Sequence, residues 1–200
     1  MSKKCSYGLS PELVALLEKE FPIDPLVMRY KKALESPEDY AEGKVDKELF
    51  GTFGRNLADR ICELESEYRD RNAEVLYMVA QKTGHPFPSI QQRLLEMAYL
   101  SIMNENNIRF QEISFKRLAF EVSFCELNQQ LTEAIGPEVA HMIPCRHLCM
   151  ELCKKIYGNT DVGNVVDVNM PSKMSDEKGS CVFSAELTLE EQLRMSGIHK

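Results

Sequence analysis

The first half of the chain carries its apolar residues at helical spacing; the second half changes period. Leu13, Leu16 and Leu17 follow Ser10-Pro11, which reads as a cap and a first helical position. Pro22 and Pro25 end that helix. A second short helix is expected through Leu26, Tyr30 and Leu34, stopping before Pro37. Residues 36–46 are polar and turn-rich and read as a linker. From about Asp46 to Thr83, Phe50, Phe53, Leu57, Ile61, Leu64 and Tyr68 recur at threes and fours, with Cys62 beside the stripe. Gly84-His85-Pro86 closes this stretch. Ser89 caps the next helix, whose apolar members are Leu94, Leu95, Met97, Ala98 and Ile102.

After Asn106 the period becomes that of a strand. Ile108, Phe110 and Ile113 open it, and Leu118, Phe120, Val122 and Phe124 then alternate with Ala119, Glu121 and Ser123. Cys125 stands where this strand hands over to a helix, Glu126–Ile135, closed by Gly136-Pro137. Glu138–Tyr157 is helical again, with Pro144 as a break or restart and Gly158 as a cap. Val165, Val166 and Val168 predict a strand, and Cys181–Leu187 a closing one. The two are joined through the polar loop Ser172–Gly179 as a hairpin. Thr188 caps a last short helix. The expected class is α+β, with helices covering one face of a small antiparallel sheet. The expected division is a helical region, 1–104, and a cysteine-containing α+β domain, 105–200.

Composition narrows the function classes. A net charge of −7 argues against a nucleic-acid surface, which needs a basic patch to release counterions, and against an anionic membrane. The N-terminal residues contain no apolar signal core, and no stretch reaches about 18 consecutive apolar residues. Seven cysteines, an odd number, with no export signal predict a reducing cytoplasm and free thiols or metal ligands, not a disulfide framework.

The chemically pointed stretch is His141–Cys153. If Pro144 restarts the helix, Cys145, Cys149 and Cys153 recur every four residues on one face. With Cys125 and Cys181, five sulfurs fall in the second half. Three readings compete. Thiolates bind soft metals and iron–sulfur clusters, usually four at a time. One stripe cannot supply three ligands to one ion, because its outer pair spans about 12 Å along the axis. Alternatively, a cysteine in the first turn of a helix has a lowered pKa and can act as a nucleophile, with His147 or His141 as base. Finally, cysteine is also a small core hydrophobe, and core residues repeat at fours as well.

The segment Leu118–Leu187 resembles the C-terminal part of the L-2-amino-thiazoline-4-carboxylic acid hydrolase-like family. It is also similar to ligand- or cluster-binding domains of iron–sulfur regulators and to 4-vinyl reductase-type domains. The likeness rests on a strand ending in Cys125, on Cys149 nine residues before Gly158, and on Gly179, Cys181 and Phe183 as G-x-C-x-F. The resemblance carries over Cys125, Cys149 and Cys181; Cys145 and Cys153 are additions of this chain. Leu152 stands where the hydrolases would have an acidic residue.

The leading expectation is therefore a hydrolase-like protein acting on a small cyclic amide or thioimidate through a cysteine-lined pocket, with Cys149 and His147 catalytic. The alternative is a non-catalytic iron–sulfur or metal-binding redox or sensor module, with Cys125, Cys145, Cys149 and Cys181 as ligands and an iron–sulfur cluster or zinc as the group held. A third is a helical interaction protein with inert cysteines. The expected partner is a small-molecule ligand or substrate, with a homodimer or protein partner through the N-terminal helices.

Overall fold

The computed structural model describes residues 11–36, 43–67, 94–95, 98–99, 101–102, 108–114, 116–159 and 166–195. The fold is α+β. Three helices come first: α1 (Pro11–Glu20), α2 (Ile23–Leu34) and α3 (Lys44–Glu67). The described residues between 94 and 102 are also helical. Then follow β1 (Ile108–Ile113), β2 (Arg117–Val122), α4 (Glu126–Ile135), α5 (Pro137–His141), α6 (Arg146–Gly158), β3 (Val166–Ser172), β4 (Cys181–Leu187) and α7 (Leu189–Met195). Ser10, Tyr68–Thr83, His85, Ser89, Met97 and Val165, to which the sequence assigns roles, lie outside the described residues.

The helical stripes face inward as their spacing requires. Phe50, Leu57, Ile61 and Leu64 of α3 are buried. So are Leu94, Leu95, Ala98, Tyr99 and Ile102. Two prolines behave differently from expectation. The sequence expects Pro25 to end the first helix with Pro22, but α1 stops at Glu20 and Pro25 lies in the first turn of α2, where a missing N–H has no intrahelical acceptor to lose. Pro144 does not open a helix; it sits in the turn between α5 and α6, so Cys145 is the residue before α6 and not part of its first turn. Gly158 is the last residue of α6, and Asn159 caps it.

The strands form one antiparallel sheet in the order β1-β2-β4-β3. The register pairs Leu118 with Ala185, Phe120 with Phe183 and Val122 with Cys181, which puts their side chains on one face. Phe120 stacks on Phe183 with centroids 5.2 Å apart, and Tyr99 meets Phe120 edge-on at 5.7 Å. The hairpin β3–β4 forms as expected. Its edge strand carries Pro171, which cannot donate a ladder hydrogen bond, and the register shifts between Asn169 and Ser172. Thr188 caps α7 through its Oγ1, which accepts from the Glu191 amide at 3.4 Å.

One buried cluster runs from Leu13 to Ala185 and includes residues of both 1–104 and 105–200. Its tightest joint is between α3 and α6. A Cβ at Gly54 would collide with the Leu148 backbone, so only glycine lets these two helices approach this closely. Gly136, with φ 87° and ψ 157°, makes the corner between α4 and α5 in a region reserved for glycine. No helix among the described residues is long and apolar enough to cross a membrane.

Candidate functional site

Sheet register brings the first two sulfurs together. β2 runs through Val122, and Cys125 follows three residues later as the N-cap of α4. Cys181 opens β4 opposite Val122. Both sulfurs accept a backbone N–H: Cys125 Sγ from Asn128 at 3.4 Å, and Cys181 Sγ from Met174 at 3.2 Å.

The start of α6 supplies two more. Cys145 immediately precedes the helix and Cys149 lies one turn on, on the same face. The turn that aims them is strained. Ile143 has φ 54°, in the left-handed region that a β-branched side chain avoids, and it is buried. Such a residue costs about 1–3 kcal/mol and persists only where its surroundings enforce it.

Cys125, Cys145, Cys149 and Cys181 line a single cavity of ≈ 20 Å³, together with Tyr99, Ile143 and Met170. This is room for about one water molecule. Among the described residues that line it there is no carboxylate or imidazole. The Tyr99 hydroxyl is fully buried here, and among the described residues the groups bearing on it are the sulfurs of Cys149, Cys153 and Cys125. Cys153 is buried but outside the cavity lining, and Cys62 is half-buried on α3.

As thiols these groups are poor acids. Burial pushes Cys125 up to about 11 and Cys181 up to about 12, against the pull of their N–H donors. Burial also raises Cys145 and Cys149 well above the ordinary value, and neighbouring sulfurs add to it. The expectation of a helix-start thiolate at Cys145 is thereby reversed: the helix terminus cannot offset the loss of water. Among the described residues, no group of three or more Cys, His, Asp or Glu side chains is arranged to hold a metal ion as it stands.

His147 lies elsewhere. It lines a second, larger groove of ≈ 470 Å³ between α3, α6 and the end of β3. Partial burial, with the Arg146 guanidinium beside it, holds His147 below its ordinary value. Arg146 and Met170 line both the groove and the sulfur cavity and so form the partition between them. The register shift in β3 spans Met170 and brings it to this partition. His141 is exposed at the end of α5 and lines neither space.

Sequence reasoning singled out the four cavity sulfurs but missed Tyr99, Ile143 and Met170. Nothing local marks the strained turn, because a residue before proline ordinarily takes extended angles and Ile143 does not. The groove had no sign at all, because its charges come from three separated elements. Compared with known proteins, the chain matches no family model, no curated protein and no solved structure.

Proposed function

We propose that this protein is a non-catalytic, thiol-based metal module of a reducing cytoplasm, in which Cys125, Cys145, Cys149 and Cys181 take one soft metal ion and report or carry its state. The observation that carries this reading is the convergence of four thiols, from three separated parts of the chain, on one small cavity. Four sulfurs are the usual set for such an ion, and no carboxylate or imidazole is among the described residues that line the cavity. Two of the four already accept backbone N–H groups, the arrangement that stabilises a thiolate once it forms. The strained Ile143 is a cost the fold bears at this spot. The volume suits a single ion such as zinc, whereas a four-iron cluster needs several times more room.

An ion bound here would displace the thiol protons and so overcome the raised pKa values that burial imposes. Among the described residues no ready-made set of three ligands is present, so loading requires the thiols to adjust, and that adjustment enters the binding equilibrium. The test is metal and acid-labile sulfide analysis of anaerobically purified protein, followed by cobalt(II) titration of the metal-free form. One equivalent with intense sulfur-to-metal charge transfer, lost in Cys125→Ser/Cys181→Ser and kept in Cys153→Ser, is the expected result. No binding, or equal binding in both variants, would overturn the reading.

The hydrolase reading keeps one observation of its own, the roomy groove carrying His147 beside the sulfur cavity. It requires Cys149 to ionise and to be reached past Arg146 and Met170. Turnover of a cyclic thioimidate or amide, abolished by Cys149→Ser and by His147→Gln, would replace the metal module with an enzyme.

A further inference from the structure

The chain as a whole is acidic, with 31 Asp and Glu against 24 Lys and Arg. The groove beside the sulfur cavity inverts that balance. Lys47 and Arg55 come from α3, Arg146 and Lys154 from α6, and Lys173 from the residue after β3. Among the described residues that line the groove, one carboxylate, Glu151, faces these five cations, and it is already engaged by Arg55 at 3.0 Å and Lys154 at 3.3 Å. Lys47, Arg146 and Lys173 form no ion pair among the described residues. Like charges held in one concavity repel, and their field is strongest where low-dielectric walls focus it. Met150 and Met170 supply such walls and an adaptable apolar surface.

We propose that this groove is a binding site for a small, multiply anionic ligand, a phosphate ester or a polycarboxylate. The volume of ≈ 470 Å³ lies within the usual range for small-molecule sites. Arg146 offers a planar fork that matches phosphate and carboxylate oxygens, and Lys47 and Lys173 offer point charges from two other sides. His147 adds an imidazole to the same lining, able to hydrogen-bond a ligand oxygen. A nucleic acid is disfavoured, because the basic surface is confined to one concavity on a chain of net charge −7. The proposal deepens the small-molecule partner expected from the sequence. It does not depend on metal at the sulfurs, so the two readings fail separately.

The experiment is calorimetric titration of metal-free protein with sodium pyrophosphate and, in parallel, with citrate, at constant ionic strength. Metal-free protein is used because both probes chelate ions. Saturable binding at one site is expected, weakened at least tenfold in Arg146→Gln/Lys173→Gln. Lys31→Gln/Lys32→Gln, on the exposed end of α2, should bind as the unmodified protein does. Tighter pyrophosphate binding assigns the phosphate-ester class, and tighter citrate binding the polycarboxylate class. Circular dichroism checks that both variants are folded. Heats no larger than those of matched sodium chloride, or an Arg146→Gln/Lys173→Gln variant that binds normally, would overturn the proposal.

Discussion

Gly54 of α3 lies against the backbone of Leu148 in α6, so close that a Cβ at position 54 would come within 3.0 Å of the Leu148 carbonyl carbon and nearer still to its oxygen. Leu148 immediately precedes Cys149, so this contact sets how deeply the sulfur-bearing helix sits. Gly54→Ala should therefore destabilise the protein by about 2 kcal/mol or more, since backbone cannot move aside as a flexible side chain can. Gly51→Ala, whose Cβ would meet only side-chain atoms, Arg55 Nη1 and Glu151 Cγ, each at 3.4 Å, should be neutral or stabilising by up to about 1 kcal/mol. Urea denaturation of the pair checks this; equal losses would show that the helix contact is not the cause.

Serine substitutions at the sulfurs should separate by their surroundings. Cys125→Ser and Cys181→Ser leave a hydroxyl where a backbone N–H already points, and serine is the better N-cap. Each should cost less than about 1 kcal/mol in metal-free protein. Cys153 is buried with desolvation alone acting on it, so Cys153→Ser should cost about 1–3 kcal/mol for an unpaired hydroxyl. Thermal melts of the three variants give the ranking.

Alkaline pH should destabilise the metal-free protein. Burial holds Cys153 up to about 12, whereas an unfolded thiol ionises near ~8.5. Above that lower value the unfolded state releases a proton that the folded state retains, so stability falls as pH rises toward about 12 and is unaffected by this group below pH ~8. The slope contributed by this thiol approaches about 1.4 kcal/mol per pH unit. Denaturation midpoints from pH 7.5 to 9.5 should fall less steeply in Cys153→Ala than in the unmodified protein. Parallel slopes would mean that this thiol does not titrate on unfolding.

Glu151 offers a local control on the groove. Its partial burial works to raise its pKa, but hydrogen bonds from Arg55 and Lys154 hold it below the ordinary carboxylate range. Glu151→Gln removes the one carboxylate among the groove's described lining residues and frees both cations. Pyrophosphate should bind about 2–5-fold tighter, while stability changes by less than about 1 kcal/mol, as for half-exposed ion pairs generally. Unchanged affinity in the same titration would show that the groove's field does not govern binding.

Local signals on the chain determined the elements and the inward residues. The period-four stripe from Phe50 to Leu64, the alternation from Leu118 to Val122 and the closing strand Cys181–Leu187 each depend on which side of a helix or strand a residue occupies, and spacing alone sets that. The four cavity sulfurs could also be named, because cysteine is rare and its clustering is visible. Tertiary structure decided the rest. Whether Cys145 and Cys149 ionise depends on water access, and burial reversed what a helix start suggests. Whether His147 faces the thiols depends on the rotation of α6, set by the Gly54 contact and the strained turn at Ile143. The basic groove exists only because α3, α6 and β3 meet, bringing Lys47 and Lys173 to one concavity from opposite ends of the chain. Charge fields and desolvation act through space, and a linear pattern carries no distances between elements until they pack.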